Sequence, residues 1–251
     1  MKKFILLLTV AVLCLAMAAC GNKDAAQAFE IYSQMEETVA NASSLEMVID
    51  GAMVMSSGSE SIDVAVGVNM KQVIRSETDV DLEMTMDMAY TGMSLTSVIY
   101  YKDGYMYQDI MGQKLKTVAD VEEVMDQSYS SGLKITEALI KTSKVEKVDG
   151  GNKVTFTLKE EAANDMLGEI VDSMLQGMDM TGVTTKMGDV QCTALVDEEG
   201  YPKTYNILFD FSMEQGGETV KFDYDMTTEY VSFDSIDAIE FPADLDTYIE
   251  Y

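Results

Sequence analysis

Cys20 is the first residue whose type and setting can do chemistry. It follows Met17-Ala18-Ala19, so a thiol stands directly behind small side chains. Small residues suit the cleft of a processing peptidase, and a cysteine exposed there can carry lipid. Cys14 does not fit the same pattern, because the bulky Leu13 precedes it. Cys192 is the third and last cysteine of the chain. With Cys20 acylated it has no intramolecular partner, so no disulfide is expected in the body. It alternates with Val190, Ala194 and Val196, which reads as a small core hydrophobe and not as a reactive thiol.

Histidine is absent. Ser-His-Asp and Cys-His nucleophile systems therefore cannot be built, nor can histidine-dependent zinc or copper sites. Met84-Thr85-Met86-Asp87-Met88 and Met178-Asp179-Met180 place soft thioethers close together, as Cu(I) would require. Without histidine or a cysteine pair, that reading gives way to methionine as an adaptable apolar surface. Ser131-Gly132-Leu133-Lys134 matches a Ser-x-x-Lys element, but its Ser-Asp-Asn and Lys-Thr-Gly companions are missing. Asp79, Asp81, Glu83 and Asp87 alternate along one strand without the loop that encloses calcium, and read as a solvated face. Glu198-Glu199 falls on a hairpin turn and defines no carboxylate spacing for glycoside hydrolysis. No catalytic residue, metal or cofactor is expected.

The segment before Cys20 explains its setting. Lys2 and Lys3 precede an almost wholly apolar run from Phe4 to Leu15, and Ala16 to Ala19 is mostly small. The run is shorter than the roughly 20 residues of a spanning helix. It reads as the signal peptide of a bacterial lipoprotein over residues 1–19. Residues 20–24 are then the lipidated cysteine and a short tether, and 25–251 one domain. Acyl chains contribute about 0.8 kcal/mol per buried methylene, enough to hold such a chain at the extracytoplasmic face of the cell membrane.

The chain has 251 residues, 47% of them hydrophobic, and a formal charge of −27. Such acidity disfavours nucleic acid and anionic lipid surfaces as partners. Methionine is the compositional outlier, with 21 residues.

The elements follow from periodicity. Ala25 to Asn41 reads as a helix with Ala28, Tyr32, Met35 and Val39 on one face. Leu45 to Met55 and Ile62 to Met70 alternate as strands. Val80, Leu82, Met84, Met86 and Met88 alternate with acidic or polar residues, the clearest strand in the chain. Met93 to Tyr101 and Tyr105 to Ile110 flank an Asp103-Gly104 turn. Asp120 to Tyr129 and Leu133 to Lys141 read as helices, and Lys144 to Leu158 as a hairpin turning at Gly150-Gly151. Glu160 to Gln176 is an amphipathic helix with the stripe Ala163, Met166, Leu167, Ile170, Val171, Met174 and Leu175. Val190 to Val196, Tyr205 to Met213 and Val220 to Phe233 complete a meander.

The sum is α+β: a large curved antiparallel sheet, an incomplete β-barrel, with amphipathic helices covering its apolar face. An opening helix, a strand meander, a helical block around Ala119 to Lys141 and a closing meander together resemble the LolA/LolB and LppX/LprG-like lipoproteins. The ending from Ile236 to Leu245 looks like that of uncharacterised Gram-positive lipoproteins related to them. The resemblance implies a cavity for acyl chains between sheet and helices, and no catalytic residues. The expected wall is Met47, Met53, Met84, Met86, Met88, Phe209, Phe211, Phe222, Tyr224 and Met226, with a lipid or other apolar molecule as ligand. The other expectation is an anchored interaction or sensor module with a filled core.

Overall fold

The computed structural model describes residues 24–121, 124, 135–174 and 182–251. Helix α1 spans residues 24–41. Six strands follow as a meander: β1 (Ser44–Ser57), β2 (Glu60–Ser76), β3 (Asp79–Tyr90), β4 (Met93–Lys102), β5 (Tyr105–Ile110) and β6 (Gln113–Val118). Beyond a short 3-10 turn at Glu137–Leu139 come β7 (Ile140–Val148) and β8 (Gly151–Leu158), then helix α2 (Glu160–Met174). The chain ends with β9 (Thr184–Met187), β10 (Gln191–Asp197), β11 (Pro202–Gln215), β12 (Glu218–Phe233) and the two-residue β13 (Ile249–Glu250).

The strands form one open, curved sheet in the order β13-β6-β5-β4-β3-β2-β1-β12-β11-β10-β8-β7, with β9 beside β11. Two meanders are thus joined where β1 pairs antiparallel with β12, from Leu45 opposite Phe233 to Ser57 opposite Val220. Every pair is antiparallel except β13 with β6. The register shifts at Glu46/Met47, Ile74/Ser76 and Leu195/Val196, and such bulges bend a sheet.

Turn chemistry sets the hairpins. Asp103 and Gly104 both have positive φ, at 52° and 78°, as a two-residue hairpin turn of the mirror-image type requires. Gly151 begins β8 where a Cβ would stand 2.0 Å from the Val196 carbonyl oxygen, so only glycine lets β8 approach β10 there.

Two expectations need correction. The helix expected from Leu133 to Lys141 is absent over its described part. Residues 137–139 form a 3-10 turn, and Ile140 already pairs with Leu158 in the β7–β8 ladder. The long-range ladder overrides a weak local helix preference. The acidic face of β3 is not wholly solvated either. Asp81 is buried and takes a charge-assisted hydrogen bond from Arg75 at 2.8 Å. Within the helix expected from Asp120 to Tyr129, residues 121 and 124 are helical. Cys20 and its tether, Met178-Asp179-Met180 and Ser131 to Lys134 lie outside the described residues, as do the side chains of Leu167, Ile170, Val171, Met174 and Leu175. No helix among the described residues is long and apolar enough to cross a membrane.

Candidate functional site

The face of the sheet on which α1 lies is built in rows, because strand register aligns every second residue. One row runs Tyr230, Met47, Met70, Met84 and Ile99 across β12, β1, β2, β3 and β4. The next runs Tyr205, Thr228, Ile49, Val68, Met86 and Ser97. Ile207, Met226, Gly51, Val66, Met88 and Leu95 follow, and then Phe209, Tyr224, Met53, Val64 and Tyr90. Phe211, Phe222, Met55 and Ile62 make the next row, across β11, β12, β1 and β2. All ten expected wall residues therefore share one face. From Leu45 to Met55, Ile62 to Ile74, Val80 to Met88, Met93 to Tyr101, Tyr205 to Met213 and Val220 to Tyr230, the positions on this face carry no charged side chain.

Packing divides the face in two. Under α1 and the start of α2, Phe209, Phe211 and Phe222 are buried with Tyr32, Met35, Phe156, Cys192 and Met166. Phe211 and Phe222 stack with ring centroids 4.4 Å apart, and Phe209 stacks on Tyr224 at 4.7 Å. Met53 and Tyr224 pack half-buried at the rim of this cluster. The second cluster holds Met47, Met70, Leu45, Leu82, Tyr101 and Val124, with Met84 half-buried against it. Met86 and Met88 are half-buried and belong to neither cluster, and Met226 is 37% exposed. An open depression of about 580 Å³ lies at the end of β1–β4, lined by Met53, Val64, Tyr90 and Met93 among others.

Sequence reasoning missed two polar residues on this face. Gln72 is fully buried and Ser97 is 2% exposed, and neither the Gln72 carboxamide atoms nor the Ser97 hydroxyl has a hydrogen-bond partner among the described residues. A buried polar group left unpaired costs roughly 1–3 kcal/mol, so native proteins hold few. A signal was present, since each residue occupies an apolar phase of its strand. Beneath α1, burial raises the phenols of Tyr32 and Tyr205 and pushes the Cys192 thiol up to about 11. Desolvation favours the neutral form of each group.

The opposite face carries the charge. Asp210 stands directly across from Asp223, and with Asp189 and Asp225 they line a depression of about 420 Å³. No described cluster of three or more histidine, cysteine or acidic side chains is placed to hold a metal ion. The C-terminal segment crosses the same side as a strap. Phe241 packs edge-on to Tyr100, Tyr248 edge-on to Tyr107, and Lys114 donates to Asp244 at 2.5 Å. Ile239 and Tyr248 are buried there.

The model of the Family of unknown function (DUF6612) matches residues 27–247. The chain belongs to this family. That span covers both meanders, nearly all of α1, all of α2 and most of the strap. Among solved structures, it is similar to LprF from Mycobacterium bovis at 11% identity and a TM-score of 0.42, over 86% of this chain and 97% of that one. It is similar to the lipoprotein LppX of Mycobacterium tuberculosis at 11% identity and a TM-score of 0.41, over 85% and 98%. A domain assigned to outer membrane lipoprotein sorting in Vibrio parahaemolyticus aligns at 10% identity and a TM-score of 0.24, over 92% and 97%. No curated protein matches.

Proposed function

We propose that this member of the family is a lipid-anchored, non-enzymatic envelope protein that holds an apolar or lipidic ligand on the inner face of its sheet. One observation carries the reading. Met86 and Met88 stay half-buried outside both packed clusters, on a stretch of face without charge. Flexible thioethers adapt to apolar partners of varied shape, so Met84, Met86 and Met88 make a suitable wall. Met47, Met53, Phe209, Phe211, Phe222, Tyr224 and Met226 continue it along the same rows. Lipidation of Cys20 would place this body on the outer side of the cytoplasmic membrane. The filled cluster under α1 favours a second reading, an anchored interaction module with no small ligand.

Titration of the soluble body with fluorescent fatty acids and phospholipids, beside thermal melts, separates the two. The carrier reading expects saturable binding by wild type. It also expects Met84, Met86 and Met88 replaced by Phe to weaken binding more than folding. Folded wild type that shows no saturable binding leaves the interaction module.

A further inference from the structure

Gln72 interrupts an otherwise apolar line. The inward residues of β2 from Ile62 are Val64, Val66, Val68 and Met70, then Gln72, then Ile74. Its strand neighbours are Leu45 on β1 and Leu82 on β3. The side chain is fully buried, and both polar atoms of its carboxamide lack partners among the described residues. For packing alone, leucine or methionine fits this position without an unmet hydrogen bond. Charged neighbours offer no explanation, because Glu46, Lys71 and Glu83 lie on the opposite face.

We infer that Gln72 is the hydrogen-bonding handle for an uncharged, oxygen-bearing group of the bound lipid, an ester with a neighbouring hydroxyl. The inference rests on the carrier reading and names the ligand class for that same face. A carboxamide offers two N–H donors and one carbonyl acceptor. An ester carbonyl accepts from the amide nitrogen, and an alcohol donates to Oε1. A charged head group is disfavoured, because the described strand positions around Gln72 on this face, Leu45, Met47, Met70, Ile74, Val80, Leu82 and Met84, carry no charge to pair with it. A neutral glycerolipid meets these conditions. Val39, Ala119 and Val121 pack on the same cluster, so the ligand group reaches Gln72 by taking the place of such contacts. Ser97, the other unpaired group, lies two strands across and four residues along, about 16 Å away. One ligand group cannot meet both.

The test uses the full chain in phosphatidylcholine vesicles. Two photoactivatable probes of equal chain length are compared, a diazirine-bearing 1-monoacylglycerol and a diazirine-bearing alkane. Adducts on peptides from β1–β4 are quantified for wild type, Gln72→Met and Gln72→Leu, beside thermal melts. Wild type is expected to take both probes. Gln72→Met, which keeps the side-chain shape, is expected to lose about tenfold of the ester adduct while the alkane adduct stays within about twofold and melting is no lower. Equal ester adducts in wild type and both variants overturn the handle, and so does a parallel loss of ester and alkane adducts. Wild type that takes neither probe overturns the carrier reading itself, and the handle with it.

Discussion

Asp234 holds Ser43 across 191 positions of sequence, its Oδ1 accepting from both the Ser43 backbone N–H and the Ser43 hydroxyl at 2.7 Å. The contact closes the end of β12 onto the turn between α1 and β1, and the Asp234 N–H donates to the Ser44 carbonyl beside it. It also marks the point where the sheet ends and the strap begins.

These bonds favour the ionised carboxylate and hold Asp234 below its usual range. A depressed folded pKa stabilises above the unfolded value and is lost as pH falls through the folded one. Asp234→Asn keeps an acceptor and tolerates the positive φ of 51° at this position. Its expected cost is about 1 kcal/mol at pH 7, discounted for exposure, and the deficit should shrink below about pH 4. Urea melts at pH 7 and pH 3 check this. A deficit that stays constant over that range would show that charge plays no part.

The strap is expected to protect the outer face through its rings. Tyr248→Ala removes the edge-on contact with Tyr107 and should loosen β5 and β6, at about 0.5–1.5 kcal/mol beyond the lost area. Hydrogen exchange at Tyr105 to Val118 is the readout, with faster exchange expected there than in β10 and β11. Uniform protection equal to wild type would leave the strap without a structural role.

Cys192 is expected to be inert in the folded chain. Burial pushes its thiol up to about 11 and excludes reagent, whereas a free cysteine titrates near 8.5. Modification by a polar maleimide at pH 8 should be roughly tenfold or more slower in native protein than in denaturant. Equal rates would place the thiol outside the core.

Cys20→Ser is expected to abolish incorporation of a metabolic fatty-acid probe and to release or leave unprocessed the product. Undiminished labelling of the variant would reject the anchor.

The strand phases of this protein were readable from its sequence, and so was the face that each strand turns inward. Val80 to Met88 alternate so regularly that the apolar side is marked out for the core, and period-2 patterning is a local property. Hairpins such as Asp103-Gly104 were equally local, because positive φ selects the residues. Tertiary structure alone decided that β1 meets β12, since apolar strand edges look alike until chain closure pairs them. It also buried Asp81 through Arg75, laid Phe241 and Tyr248 on the outer face, and turned Ile140 from helix to strand. Gln72 belongs to both levels. Its odd place in the alternation is written in the sequence, but its lack of any partner exists only once Leu45 and Leu82 close around it.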